Sequence, residues 1–391
     1  MFPKKHLLSW GCGLGKTFAV ICLSNKADVP TLIIVPKSLK TQWGIEMTTH
    51  CTHKNWKIVT KEEFRRDWNV LKKYDCLIVD ECHFFLGMKS AMSKALIAYL
   101  KKWQPLYFYG LTATPFRSSP WDIYRLLEIF GRKINYYSFF QTFFYNIKMG
   151  ARMIPQAKTG PDIEAKLISL IHSVGSTVRL EDCFDVPEQV HEVIWVSLTK
   201  DQEKGMKNLD AILPIVRYGN EHQITGGVLK EDDYRPIQFF ETQKIDVLLG
   251  LVADNKQMIV AFKYREEIEM VKKTLEKEFP SLHIGIIHGD IENRHEVLRE
   301  CEKHDKYVLL ISATVSEGWE MKQCPLMVFY SLSYSMVSAV QMQGRIQRAG
   351  SLKKNTYIFL VCKDTVDEAI YRTVILEKTE FHLAIYAKSI I

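Results

Sequence analysis

Trp10-Gly11-Cys12-Gly13-Leu14-Gly15-Lys16-Thr17 decides how this chain reads. A short strand candidate, His6–Trp10, leads into it, and a helix-period segment, Lys16–Ser24, follows, so the glycines fall in a strand-to-helix turn. Glycine lets the backbone curl until successive N–H groups point at one phosphate, and the helix start adds its own unpaired amides. Gly11, Gly13, Leu14 and Gly15 then form a cradle. Lys16 neutralises the terminal phosphates of a nucleoside triphosphate, and Thr17 offers its hydroxyl to Mg2+. The full form of such a loop carries one more glycine five positions before Gly15, where this chain has Trp10.

Working outward, the loop needs a carboxylate at the end of a buried strand. Leu77-Ile78-Val79-Asp80-Glu81-Cys82-His83 supplies it. Asp80 is expected to hold Mg2+ through water, and Glu81 to polarise the attacking water as general base, since both tasks need anionic groups beside the metal. With Lys16 and Thr17 they make an ATPase site, with ATP and Mg2+ as its ligands.

Short β-branched runs alternate with helix-period segments on both sides of this site, the pattern of parallel α/β architecture. The early strands are His6–Trp10, Thr31–Val35, Lys57–Val59, Cys76–Val79 and Leu106–Gly110, and a second early helix is expected over Ser38–Thr48. The pattern resumes with Gln257–Phe262, His283–His288, Tyr307–Ile311, Leu326–Tyr330 and Thr356–Val361, and Arg265–Lys277 places Ile268, Val271 and Leu275 on one helix face. Between the two lies a stretch of different texture. Its Tyr136, Phe139, Phe140, Phe143 and Phe144 mark one apolar helix face; flanked by Arg132, Lys133 and Lys148, the same rings could stack bases, and core packing is the reading that helical spacing favours. Ile224–Arg235 reads as an exposed connection.

The composition, 47% hydrophobic and 25% charged over 391 residues, excludes disordered and fibrous classes. A net charge of +7 leans toward polyanionic partners. Nine cysteines without a CxxC pair point to a reducing cytoplasm, and His50-Cys51-Thr52-His53 lacks the second ligand pair of a zinc site. No apolar run reaches the about 18–20 residues of a membrane span. A soluble, cytoplasmic protein is expected.

Asp80-Glu81-Cys82-His83 resembles the DExH box of superfamily 2 helicases, Gly110-Leu111-Thr112-Ala113-Thr114-Pro115 their motif III, and Gln341-Met342-Gln343-Gly344-Arg345-Ile346-Gln347-Arg348 their motif VI. The order and spacing run over nearly the whole chain. Gly13-Leu14-Gly15-Lys16-Thr17, Ile33-Ile34-Val35-Pro36-Lys37-Ser38-Leu39-Lys40-Thr41-Gln42-Trp43 and the Gly-Leu-Thr-Ala-Thr-Pro wording resemble the Swi/Snf-type DNA translocases, and the compact length is similar to phage-encoded members.

This resemblance implies two tandem RecA-like parallel-sheet lobes with a nucleotide cleft between them. Residues 1–185 are expected as lobe 1 with a helical extension, 186–242 as a connecting, helical segment and 243–391 as lobe 2. It implies that Arg345 and Arg348 meet the phosphate charge that spreads in the transition state, and that His83 and Gln341 sense the terminal phosphate. Gly318 fits motif V, with Glu320 where the family more often has Asn or Asp. Non-specific nucleic-acid contacts are expected from Lys37, Ser38, Lys263, Ser312 and Thr314 at strand ends, with Thr112 and Thr114 as a relay toward that face. The scarcity of residues before the loop leaves no place for an adenine-reading glutamine, so weak discrimination against other purine triphosphates is expected. The implied activity is a DNA-stimulated ATPase that translocates along duplex or branched DNA, acting as a monomer. An RNA helicase, an ATP-switched nucleic-acid clamp and a restriction-system motor subunit remain alternatives.

Overall fold

The computed structural model describes residues 3–116, 119–149, 152–209, 213–230, 236–291, 293–315, 319–347 and 354–377. They fall into two compact units, the first ending at Phe184 and the second running from Asp185 to Thr379.

In chain order the first unit contains β1 (Lys5–Trp10), α1 (Lys16–Ala27), β2 (Thr31–Val35), α2 (Lys40–His50), β3 (Trp56–Thr60), α3 (Lys61–Asp67), β4 (Cys76–Val79), α4 (Ala91–Trp103), β5 (Tyr107–Leu111), α5 (Pro120–Ile129), α6 (Tyr136–Phe143), β6 (Phe144–Met149), β7 (Arg152–Ala157), α7 (Pro161–His172) and β8 (Gly175–Val178). Its six-stranded sheet has the order β3-β2-β4-β5-β1-β8 with every pairing parallel. Alternate residues leave a strand on opposite faces. Leu7, Leu32, Ile34, Leu77, Val79 and Phe108 enter one core, while Leu8, Ile33, Val35, Ile78, Tyr109 and Leu111 enter the other. A sheet covered on both sides explains the unbroken apolar runs Thr31–Val35 and Cys76–Val79. At its edge β8 approaches β1 closely: a Cβ on Gly175 would stand 2.1 Å from the Leu7 carbonyl oxygen.

The second unit contains β9 (Gln189–Val196), α8 (Lys200–Lys207), α9 (Pro214–Thr225), β10 (Val228–Leu229), β11 (Gln238–Phe239), α10 (Gln243–Asp254), β12 (Gln257–Phe262), α11 (Arg265–Glu278), β13 (His283–Ile287), α12 (Arg294–Glu302), β14 (Tyr307–Ser312), β15 (Leu326–Phe329), α13 (Met336–Gln343), β16 (Asn355–Cys362) and α14 (Val366–Ile370). Its sheet order is β13-β14-β12-β15-β16-β9, again wholly parallel. The faces again separate, with Ile259, Leu309, Met327 and Phe359 in one core and Met258, Val260, Val308 and Leu360 in the other. These are the two expected RecA-like lobes.

One expectation needs correction. Residues 186–242 are not a separate connecting segment, because Gln189–Val196 pairs with Asn355–Cys362 along its full length as the edge strand of the second sheet. The unit therefore begins at Asp185. Its outer face is half exposed, so the run lacks the all-apolar signal of the central strands.

A buried ionic cluster joins the helices of this unit. The fully buried Lys244 ammonium lies 2.6 Å from Asp367 Oδ2 and donates to the Tyr330 carbonyl at 2.9 Å. Asp367 Oδ1 accepts from Thr225 Oγ1 at 2.6 Å. Burial pushes the Asp367 carboxyl up, but the Lys244 ammonium overcomes this and leaves it below its ordinary value. Burial holds His222 down at about 3, so it is neutral here. No disulfide joins the nine cysteines. Among the described residues no group of His, Cys, Asp and Glu is arranged to hold a metal by itself, and no helix is long and apolar enough to cross a membrane.

Candidate nucleotide and nucleic-acid sites

The glycine loop leaves β1 and enters α1 through two left-handed residues, Gly13 at φ 80° and Gly15 at φ 71°. A side chain resists that region, so these two positions need glycine. The Lys16 ammonium bends back over the loop, donating to the carbonyls of Trp10 at 2.9 Å and Gly11 at 3.0 Å. Trp10, at the place of the missing early glycine, turns its indole N–H onto Ser176 Oγ at 2.9 Å and so ties the loop to the edge strand β8.

Asp80 and Glu81 follow β4, which one strand, β5, separates from β1. Asp80 is buried; its Oδ2 accepts from Trp43 Nε1 at 2.8 Å and its Oδ1 from the Glu81 backbone N–H at 2.9 Å. Burial, and then the Glu81 carboxylate, push the Asp80 carboxyl up to about 7, against the pull of Trp43 and Lys16. Lys16 and the acid pair are thus within electrostatic reach of each other. Glu81 has φ 47° and ψ 51°, the left-handed region that L residues other than Asn and Asp avoid. This turn brings Glu81 Oε2 within 3.1 Å of His83 Nδ1, and the same nitrogen lies 3.1 Å from Thr112 Oγ1. Thr112 Oγ1 in turn accepts the Thr114 N–H at 2.9 Å. A continuous chain of polar atoms therefore runs from the acid pair to the end of β5.

The donor set suits a hard divalent cation. Asp80, Glu81 and the Thr17 hydroxyl offer oxygen only, and two neighbouring carboxyls, one with its pKa raised, are what a cation would relieve.

In the second unit, Ser312 and Thr314 repeat the turn seen after β5. The Thr314 N–H donates to Ser312 Oγ at 3.4 Å, and the two hydroxyls are 2.8 Å apart. Lys263 directly follows β12, its ammonium 3.2 Å from the centre of the Tyr334 ring, and burial brings it down to about 8. Gln341 is buried in α13, and Arg345, just beyond that helix, donates to the Trp319 carbonyl at 3.3 Å. Gly318 and Arg348 lie outside the described residues.

Among the expected nucleic-acid residues Lys37, Ser38 and Thr314 are exposed, Lys263 is half-buried, Ser312 is buried, and Thr112 and Thr114 are fully buried. Buried hydroxyls suit a relay and not a contact. The helix expected over Ser38–Thr48 starts later, at Lys40: a single turn over Lys37–Leu39 comes first, closed by the Leu39 N–H on the Pro36 carbonyl at 3.0 Å, and Leu39, not Ser38, caps α2. Trp43 as the donor to Asp80 was not foreseen, since a tryptophan on a helix reads as core. The Lys244–Asp367 pair was missed for a related reason, because a lysine reads as surface.

Residues 243–350 match the family model "Helicase conserved C-terminal domain". The chain is similar to an uncharacterized ATP-dependent helicase of Mycoplasma genitalium, at 22% identity over 92% of this chain and 38% of the relative. It is also similar to the Xenopus laevis SWI/SNF-related matrix-associated actin-dependent regulator of chromatin subfamily A-like protein 1, at 20% identity over 93% of this chain and 40% of the relative. It spans about two fifths of the length of these curated relatives. Among solved structures, the Sulfolobus solfataricus SWI2/SNF2 ATPase core in complex with dsDNA aligns over 98% of this chain and 89% of that one, at 16% identity and a TM-score of 0.43.

Proposed function

We propose that this chain, a Snf2-like member of helicase superfamily 2, hydrolyses ATP and uses the cycle to move along duplex or branched DNA. The observation that carries the reading is the polar chain from Lys16, Asp80 and Glu81 through His83 to Thr112 and Thr114.

Lys16 leaves its carbonyl partners to meet the terminal phosphates, while the loop amides from Gly11 to Thr17 hold the oxygens. Asp80 and Thr17 would hold Mg2+, which when bound supplies a Lewis acid for the phosphate oxygens. Glu81 orients and deprotonates the attacking water, a role worth about 10²–10⁴ in rate. His83, touching both Glu81 and Thr112, passes the state of the terminal phosphate to the end of β5. Arg345 and Arg348 are the guanidinium donors for charge that spreads in the transition state, a role worth about 10³–10⁵ in rate. Lys37, Ser38, Lys263 and Thr314 grip phosphates without reading bases, as a motor on arbitrary sequence requires, and the buried Ser312 hydroxyl positions Thr314.

The test is ATPase turnover of the full chain with closed circular duplex, forked and four-way DNA and matched RNA, alongside displacement of a triplex-forming strand. Stimulation by DNA above RNA, with displacement, is the expected result. Equal or greater stimulation by RNA would favour an RNA helicase. Tight DNA binding without displacement would leave an ATP-switched clamp.

A further inference from the structure

Asp and Glu supply 45 of the 391 residues, yet none lies between Glu128 and Asp162, a stretch that holds Arg132, Lys133, Lys148, Arg152 and Lys158. Its aromatic residues divide by face. Phe139, Phe143 and Phe144 enter the core of the first unit, whereas Tyr137 is 76% and Tyr145 48% exposed. Directly after α6, β6 and β7 form an antiparallel hairpin. Tyr145, Asn146, Lys148 and residues 152–156 are exposed, and Ile147 is half-buried. Two backbone-directed bonds fasten its base to α6: the Lys158 N–H donates to the Phe143 carbonyl at 2.9 Å and Lys158 Nζ to the Gln141 carbonyl at 2.6 Å.

A two-stranded hairpin that projects into water is marginal by itself, and beyond the buried Phe144 this one leaves Tyr145, Met153 and Ile154 exposed. The register fixes what each face presents. Tyr145 lies opposite Gln156, Ile147 opposite Ile154, and Arg152 opposite Met149, so Tyr145, Ile147, Ile154 and Arg152 share one face. Tyr145 and Arg152 stand four residue steps of about 3.4 Å apart along the strands, so about 14 Å separates the two ends of this face, several nucleotide steps of about 3.4 Å or more. Lys148 stands on the opposite face beside Met153.

An aromatic ring, an Ile147–Ile154 pair and cations in a stretch of sequence without acids fit a polyanion whose flat faces are uncovered. Within a duplex the base faces are covered by stacking; along a single strand or at a fork they are not. We propose that the hairpin of β6 and β7 docks unpaired nucleotides beside a duplex, with Tyr145 stacking on a base and Arg152, on the same face, holding a phosphate. This deepens the function proposed above and rests on it. It gives the motor a preference for forked or frayed DNA over unbroken duplex.

The test measures affinity for a labelled fork with single-stranded arms, in the full chain without nucleotide, with closed circular duplex as competitor. Tyr145→Ala is expected to weaken fork binding about fivefold to a hundredfold, leaving affinity for the closed circle unchanged. Tyr145→Phe keeps the ring and is expected to keep the affinity, which separates stacking from any loss of hairpin structure. Arg152→Glu is expected to flatten the slope of log affinity against log salt by about 0.7 on the single-stranded arms. Unchanged fork binding in all three variants would overturn the proposal and leave the hairpin to a protein partner. Equal losses on fork and circle would overturn it too. ATPase stimulation by the closed circle tests the motor reading separately, so a wild-type chain that it stimulates but whose fork-to-circle ratio ignores Tyr145 refutes the hairpin alone.

Discussion

Trp43 donates its indole N–H to Asp80 Oδ2 at 2.8 Å, the one side-chain hydrogen bond described for this carboxylate. It comes from α2 and opposes the burial and the like charge that drive Asp80 toward its neutral form.

Trp43→Phe should therefore raise the Asp80 pKa further above about 7. A hydrogen bond to a charged group contributes about 1.5–3 kcal/mol, or about one to two pH units. The acid limb of the ATPase pH profile should move up by that amount, and the Mg2+ requirement should be greater at pH 6.5 than at pH 8.5. A defect equal at both pH values would mean that only packing was lost.

Glu81→Gln should retain ATP binding while turnover falls by about 10²–10⁴. It also removes a like charge from beside Asp80. Because the folded pKa of Asp80 is raised from 3.8 to about 7, the folded chain holds more protons than the unfolded chain across that window. Its contribution to stability therefore falls as pH rises through it. The neutral amide of the Glu81→Gln variant should soften that fall, giving a higher Tm at pH 8, by about 2–4 °C for each kcal/mol relieved, and no gain at pH 4. Melting curves at the two pH values check this.

Asp367→Asn keeps an acceptor for Thr225 but leaves the buried Lys244 ammonium without its counter-charge. Breaking a buried pair from one side costs about 3–5 kcal/mol, so the second unit should melt earlier at neutral pH. Lys244→Met with Asp367→Leu should recover most of that loss, since neither charge is then stranded. A double variant no better than Asp367→Asn alone would point to the shape of the site instead. In the wild type the pair's contribution should persist at neutral pH and fade as the medium is acidified below 3.8, because the Asp367 pKa is depressed.

Gly175→Ala should cost about 1–3 kcal/mol by overpacking, because the new methyl carbon would meet the Leu7 carbonyl oxygen and its Cβ at 2.1 and 2.4 Å. Leu7 lies on the strand that carries the glycine loop, so nucleotide affinity should fall along with Tm. Loss of Tm alone would show the loop to be insulated from the sheet edge.

The central strands were legible because they are apolar on both faces: Thr31–Val35, Cys76–Val79 and Gln257–Phe262 agree to the residue. The edge strands β3 and β13 were also read, but the edge strands β8 and β9 were not. Gly175–Val178 is short, and Gln189–Val196 carries His191 and Glu192 where it faces water. The run of rings from Tyr136 to Phe144 keeps helical spacing past the helix end; Phe144 is already extended at φ −136° and ψ 159°, which hid the hairpin. That Lys16 opens a helix after a glycine turn, and that Asp80 and Glu81 follow a buried strand, could be read because glycine clusters and paired acids have few other uses in those settings. Trp43 and Lys244 could not, because their roles depend on partners 37 residues away in one case and 123 in the other.

Glu81 occupies its left-handed turn at a conformational cost of about 1–2 kcal/mol, which a glycine would not incur. Selection for heat tolerance alone would therefore reward Glu81→Gly, a change that, under the role proposed above for Glu81, would abolish nucleotide turnover. Any library built to toughen this scaffold has to screen for hydrolysis in parallel, because here endurance and chemistry pull on one backbone torsion in opposite directions.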